Sequence, residues 1–263
     1  MTSYVVKVGG HALDSLNVGA PVLVALASDV AALRDESTNV VIVHGAGPQI
    51  ATLLDAVGLP SRFHEGLRIT DEATLEYVAM ALGQVNLHLV AALNQAGLVS
   101  IGLTGGDGST LVTSALGAPW GRVGASPKVH TGLIETLRGA GVTPVMSSMA
   151  VDESGELVNC NADAVAGALA GALNAQSLVL LSDVDQLRAD PLDESTSLSS
   201  ISQEETRRLL ESGGAREGMR PKMIAALDAL ESGAQRVVLA NGSRPHALRD
   251  ALAGAIPTTE VLR

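Results

Sequence analysis

Short runs of apolar, mostly β-branched residues alternate along the chain with stretches of helical periodicity. The runs are Tyr4 to Val8, Val40 to Val43, Val99 to Leu103, Val142 to Met146, Leu178 to Leu181 and Arg236 to Leu239. Several are continuously apolar, as expected of strands buried on both faces of a parallel sheet. The clearest helical pattern runs from Asp71 to about Gln95, with Leu75, Val78, Ala79, Leu82, Val85, Leu89, Ala92 and Leu93 on one stripe. Thr70 or Asp71 is placed to cap it, and Gly97 to end it. Ser202 and Glu205 have the spacing of a capping box for another helix, which Gly213 would close. Alternation of this kind predicts an α/β fold with a largely parallel sheet. Thr110 to Val129, rich in Gly and Pro, reads as a hairpin or flap, and Val151 to Val158, centred on Gly155, as a second hairpin.

Composition narrows the classes. The chain has 263 residues, 46% of them apolar, which excludes a disordered polypeptide. Cys160 is the only cysteine, so no disulfide framework exists. The longest near-apolar run, Ala164 to Leu173, is half of the ~20 residues a spanning helix needs. The start MTSYVVK lacks the basic and apolar regions of a signal peptide. Seventeen basic against 28 acidic residues give a net charge of −11, which leaves no broad field to attract nucleic acid. A compact cytoplasmic protein with no nucleic-acid or membrane partner is expected, and cations for an anionic ligand must be concentrated locally. Only three of the basic residues are lysines, Lys7, Lys128 and Lys222, and two of them fall inside the motifs below.

Five strings carry candidate chemistry. In Val5 to Leu13 a buried strand runs into Gly9 and Gly10 and then a helix. The glycines allow close backbone approach, and Lys7 sits near the strand end where open α/β sheets bind ligands. Val40 to Ile50 repeats the plan, with Gly45, Gly47 and Pro48 opening a helix. This string also begins like a dinucleotide fingerprint, with Glu65 twenty residues past Gly45, but its third glycine position is Ile50. In Gly66 to Glu72, Arg68 is set to grip a carboxylate, or to pair on the surface with Asp71 or Glu72. In Asn159 to Leu169, Asn161 or Asn159 caps a helix and Asp163 complements its dipole, leaving the other asparagine without a local role. Cys160 between them reads as small and buried. In Glu217 to Leu227, Lys222 stands in a helix's first turn beside Arg216 and Arg220, an unfavourable cluster unless an anion joins it. The six histidines lack metal-ligand spacing, and no GxxxxGK[ST], GxSxG or HExxH string is present.

In order along the chain, KVGG, VHGxG, GLRxTD, NxNAD, LLSDV and the lysine of GMxxK resemble the amino acid kinase family, and within it the members that phosphorylate N-acetyl-L-glutamate. The resemblance implies a three-layer α/β/α sandwich with a mainly parallel central sheet. It implies residues 1–160 as an amino acid and dimerisation lobe and 161–263 as a nucleotide lobe. It also implies transfer of the ATP γ-phosphoryl to the side-chain carboxylate in arginine synthesis, with Mg²⁺ carried by the nucleotide. Lys7 and Lys222 would be transition-state lysines positioned by Asp163. Gly45, Ala46, Gly47, Arg68, Asn159 and Asn161 would hold the amino acid. Gly9, Gly10, the segment Ser182, Asp183, Val184, Asp185, Gln186, Leu187 and Arg188, and Gly214, Ala215 and Arg216 would contact ATP.

The chain departs from the family pattern at Ala46, where HGGG has a glycine, and at Gln186, where a glycine is usual. A methyl at Ala46 is expected to crowd the substrate or shift the turn, and Gln186 to alter the nucleotide loop. Only six residues precede Lys7, so the extra N-terminal helix of arginine-inhibited members, and with it arginine feedback, is not expected. A homodimer joined through the long helix from Asp71 is. Lys128 is expected on the surface. Three alternatives stay open: a kinase for aminoadipate or glutamate carried on an acidic protein, a non-catalytic sensor on the same fold, and a dinucleotide-dependent oxidoreductase.

Overall fold

Each apolar run forms a strand. The computed structural model describes residues 2–9, 13, 17, 19–35, 38–190, 192–212 and 219–263. In chain order, the first half contains β1 (Thr2–Val8), α1 (Pro21–Asp35), β2 (Thr38–His44), α2 (Gly47–Ala56), β3 (Phe63–His64), β4 (Leu67–Arg68), α3 (Glu72–Gln95) and β5 (Ser100–Leu103). Then come β6 (Leu111–Val112), β7 (Ala115–Gly117), β8 (Gly121–Gly124), β9 (Lys128–Val129), α4 (Gly132–Gly139), β10 (Thr143–Ser147), β11 (Met149–Val151) and β12 (Leu157–Asn159). The second half contains α5 (Ala162–Ala172), β13 (Ser177–Ser182), β14 (Leu187–Arg188), β15 (Ser197–Leu198), β16 (Ser200–Ser202) and α6 (Gln203–Glu211). It closes with α7 (Arg220–Ser232), β17 (Val237–Asn241), α8 (Ala247–Leu252) and β18 (Thr258–Leu262).

The central sheet has eight strands in the order β16-β18-β17-β13-β1-β2-β10-β5. The six from β17 to β5 are parallel. β18 runs antiparallel to β17, and β16 joins its outer edge. Neither of these two strands is legible as an apolar run. Period-2 alternation in β1 sends Val6 and Val8 into a core under α1, α2, α3 and α8, and Val5 into a second core under α4, α5, α6 and α7. The architecture is therefore the expected three-layer α/β/α sandwich. Lys7 shares the Val5 face, toward α5. β1 is central, with β2 on one side and β13 on the other, so the strand order reverses there, and a crevice opens beyond the carboxyl ends of these strands.

Most local signals are realised. The Asp71 side chain caps α3 by accepting from the Thr74 backbone N–H, and Gly97 ends it at φ +92°. Thr70 takes a different part, described below. The Ser202–Glu205 capping box is formed. Gly213 lies outside the described residues, as do Gly10 and the start of the helix expected after it; the first described α-helix begins at Pro21. The Thr110–Val129 segment supplies β6 to β9, which join β11 and β12 in a second sheet of order β7-β8-β12-β11-β6-β9. β11 and β12 are the expected hairpin, turning at Gly155 with φ +84°.

Helices α5 and α7 approach almost backbone to backbone. A Cβ on Gly167 would lie 2.7 Å from the Ala225 carbonyl oxygen, and one on Gly171 would lie 2.3 Å from Ser232 Cβ. This close parallel packing brings the first turn of α7 beside the first turn of α5.

Candidate active site

Three residues that are far apart in sequence meet at the crevice. Asp163, in the first turn of α5, is 4% exposed, a burial that a carboxylate tolerates only when paired. The Lys7 ammonium reaches it from β1 at 3.0 Å, and Lys222 donates to its other oxygen from α7 at 2.9 Å. Burial by itself would raise the Asp163 pKa; the two ammonium groups outweigh it and hold the carboxylate well below its usual range. Burial lowers the pKa of Lys7, Asp163 opposes that shift, and Lys222 adds to it. The triad carries two positive charges and one negative, and the Asp183 carboxylate faces the same crevice within electrostatic reach of Lys7.

Gly9 makes room for this arrangement. A Cβ there would stand 2.4 Å from Lys7 Nζ, so the lysine folds back across its own strand end only because residue 9 has no side chain.

The crevice has a volume of about 340 Å³, in the range of small-molecule sites. Lys7, Gly9, Gly45, Ala46, Gly47, Arg68, Asn159, Asn161, Asp163 and Asp183 line it. Arg68 projects from β4, stacked over the Phe63 ring at 4.7 Å and donating to Ser61 Oγ and to the Gly47 carbonyl. It does not pair with Asp71 or Glu72. Asp71 lies 3.7 Å from Arg62, and Glu72 lies 4.0 Å from Arg122. Among the described residues no carboxylate pairs with Arg68, so its charge remains available to a ligand in the crevice.

Asn161 takes the cap of α5, accepting from the N–H groups of Asp163 and Ala164. That leaves Asn159 for a different contact. It is buried and donates to Thr70 Oγ1 at 3.1 Å. Cys160 is buried, and desolvation pushes its thiol up to about 12, so it is not a thiolate nucleophile at neutral pH.

The Gly45–Gly47 turn needs no glycine at its centre. Ala46 sits at φ −148°, open to any L-residue, and its methyl packs into the core. The turn is held instead by His44, fully buried at the end of β2. Its Nδ1 donates to the Gly45 carbonyl at 3.1 Å, and its Nε2 accepts from Asn86 of α3 at 2.9 Å. Asn86 breaks the polarity pattern beside the apolar stripe of α3, and that break is the signal that marks it in the sequence. Burial lowers the His44 pKa to about 4. A histidine depressed this way stabilises the fold fully above its unfolded pKa of about 6.5, and loses that contribution as pH falls toward 4. The maximum is about 3 kcal/mol. Urea midpoints of the wild type should therefore drop across pH 6.5 to 4 more steeply than those of His44→Asn. Parallel curves would exclude His44 as the cause.

The segment after β13 is divided. Asp183 faces the crevice, whereas Val184 to Arg188 lead away from it. Asp185 pairs with Arg244 at 3.2 Å, Gln186 Nε2 donates to the Thr258 carbonyl at 2.9 Å, the Leu187 side chain is in the core, and Arg188 pairs with Glu194 at 2.7 Å. Gln186 is not among the positive-φ residues, so its position does not require glycine, and its side chain ties the loop to β18. The Ser182 hydroxyl is buried. Gly214, Ala215 and Arg216 lie outside the described residues. Lys128 is exposed, as expected. Glu65 occupies the tip of the β3–β4 hairpin at φ +49°, not the end of a second βαβ strand. The geometry of a dinucleotide site is therefore absent around it.

The model of the amino acid kinase family matches residues 3–241. The chain belongs to the amino acid kinase family. The acetylglutamate kinase of Rhodopseudomonas palustris (strain BisB18) is 41% identical over 259 residues, covering 93% of this chain and 84% of that protein. The acetylglutamate kinase of Nitrobacter winogradskyi is 41% identical over 260 residues with the same coverage of both. Among solved structures, N-acetylglutamate synthase from Neisseria gonorrhoeae, complexed with coenzyme A and N-acetyl-glutamate, superposes with a TM-score of 0.83 at 25% identity. That match spans 100% of this chain and 59% of the synthase.

Proposed function

We infer that the chain is an N-acetyl-L-glutamate kinase. An oxygen of the substrate's side-chain carboxylate attacks the γ-phosphorus of ATP, the bond to ADP breaks, and an acyl phosphate forms, a step of arginine synthesis. The observation that carries this reading is the convergence of Lys7 and Lys222 on Asp163 at the mouth of a crevice that also presents Arg68. The nucleophile is already ionised at neutral pH, so no general base is required. Catalysis then rests on alignment and on neutralising the transferring phosphoryl group. Two ammonium groups, spaced by one buried carboxylate, suit that chemistry.

Arg68 would hold the α-carboxylate and Asn159 the remaining polar groups of the amino acid, with the backbone of Gly45 to Gly47 alongside. Gly9, Ser182 and Asp183 would meet the nucleotide. The residues up to 160 would thus bind mainly the amino acid, and those from 161 the nucleotide, across one continuous sheet. Both Asp163 oxygens are engaged by lysines, and the described residues contain no cluster of His, Cys, Asp or Glu suited to a metal ion. Mg²⁺ fits this donor set only as a passenger on the nucleotide's phosphates, where it supplies further charge neutralisation.

The test is ADP release from Mg-ATP with N-acetyl-L-glutamate, L-glutamate or N-acetyl-L-aminoadipate, with hydroxylamine present to trap the acyl phosphate. Hydroxamate from N-acetyl-L-glutamate is the expected result. Product from the aminoadipate analogue alone, or from none of them, overturns the substrate.

We also assign a homodimer. Met80 and Leu87, on one face of α3, are 60% and 74% exposed, and Val99 and Ile101 are exposed beside the sheet's β5 edge. A second copy of the chain would cover this apolar surface. Sedimentation velocity should return twice the chain mass, and Leu87→Glu should return one. A wild-type monomer at micromolar concentration would refute the assignment. The buried free thiol of Cys160 suits the reducing cytoplasm.

A further inference from the structure

The hairpin that carries Arg68 is too small to hold itself. β3 and β4 contribute two residues each, joined by Glu65 and Gly66, both at positive φ. An isolated two-stranded ribbon of this size is not stable in water. Phe63 is 58% exposed, so little apolar burial anchors the ribbon either. Its position must be set by what it touches.

Besides the bond from Arg68 to the Gly47 carbonyl inside the crevice, it touches Trp120, the chain's single tryptophan, in the turn between β7 and β8. Its indole Nε1 donates to the His64 carbonyl at 3.2 Å, and its ring meets the His64 imidazole edge-on with centroids 5.0 Å apart. The backbone on either side grips the exit of the hairpin. The Thr70 N–H donates to the Trp120 carbonyl at 2.9 Å, and the Arg122 N–H donates to the Thr70 carbonyl at 2.7 Å. Gly121 between them lies at φ +72°, and a Cβ there would be 2.4 Å from the Thr70 oxygen. Fully buried Thr70 in turn donates to the Arg68 carbonyl and accepts from Asn159.

The geometry points to Trp120 as a positioning residue for the amino acid substrate. It latches the β3–β4 hairpin from outside the crevice and so fixes where the Arg68 guanidinium meets the substrate carboxylate. Trp120 touches none of the reacting groups. Its removal leaves Lys7, Asp163 and Lys222 in place while loosening one wall of the amino acid pocket. This inference rests on the proposed substrate.

Steady-state kinetics of wild type, Trp120→Ala and Trp120→Phe, with hydroxamate as readout, test it. Trp120→Ala should raise the KM for N-acetyl-L-glutamate about tenfold, with kcat within about threefold of wild type and the KM for ATP unchanged. Trp120→Phe keeps a ring against His64 without the N–H donor, and should fall between the two. In the wild type, tryptophan fluorescence reports this one residue. It should change saturably with N-acetyl-L-glutamate and not with Mg-ATP alone. An unchanged KM for N-acetyl-L-glutamate in both variants, or equal rises in both KM values, overturns the latch, as does fluorescence indifferent to the amino acid. A wild type that makes no hydroxamate from N-acetyl-L-glutamate refutes the substrate instead. Far-UV circular dichroism excludes unfolding of Trp120→Ala, and Trp120→Phe carries the test if that variant does not fold.

Discussion

Lys222→Ala and Lys7→Ala are each expected to lower kcat by roughly 30- to 1000-fold, equivalent to about 2–4 kcal/mol of transition-state stabilisation. The size follows from removing one preorganised positive donor from a site where the other is retained. Lys222 gives the cleaner experiment. Its side chain is 15% exposed against 9% for Lys7, so truncation leaves less of a cavity. Gly9→Ala should mimic the loss of Lys7 while keeping every charge, because the new methyl occupies the space of the Lys7 ammonium. Single-turnover rates with saturating Mg-ATP and N-acetyl-L-glutamate separate this effect from weaker binding. An unchanged turnover number in both lysine variants would remove them from the chemistry.

Asp163→Asn is expected to act on stability as well as on rate. Breaking a buried ionic group by removing one partner costs about 3–5 kcal/mol, because the remaining charges stay buried without compensation. Here two ammonium groups would face each other across a neutral amide. The pH dependence has a definite sign. The folded-state pKa of Asp163 lies below its unfolded value. Its contribution is therefore fully present above an unfolded pKa of about 3.9, and is lost as pH falls through that value toward the folded one. Urea midpoints at pH 7 should fall in Asp163→Asn, and the wild type's extra loss of stability below about pH 4 should be missing from the variant. Equal midpoints at pH 7 would mean that Asp163 does not hold the lysines together.

The two effects arise from one arrangement. The ion triad is costly to bury, and it is the feature that gives an acidic chain of net charge −11 a local site for anions. Concentrating scarce cations at the carboxyl ends of β1 and β13 substitutes for a broad basic surface.

The sequence by itself determined the layered α/β fold, because continuous apolar strands and amphipathic helices have different periods and each must bury its apolar side. It also determined the family and the identity of the three central residues. Lys7 is conspicuous as a charge inside an apolar strand, and Lys222 as a cation where a helix dipole disfavours it. Asp163 is marked only by the family resemblance, because an acid in a helix's first turn is ordinary. Local chemistry narrowed the two asparagines to one cap and one spare, without saying which is which.

Other features were decided only by tertiary structure. The roles of Thr70, Asn86, His44 and Trp120 rest on hydrogen bonds between residues 42 to 89 positions apart, which leave no spacing pattern in the chain. β16 is a three-residue edge strand, and β18, TTEVL, alternates buried and part-exposed positions, so neither shows the continuous apolar run that reveals a central strand. The departures at Ala46 and Gln186 read as disruptive in the sequence because each puts a side chain where the family has a glycine, which a positive φ could require. The backbone shows that neither position needs it. Arg68 is equally readable as a surface ion pair until its neighbours are in place. A side chain's partner depends on what the fold packs beside it, and that is a property of three dimensions rather than of sequence order.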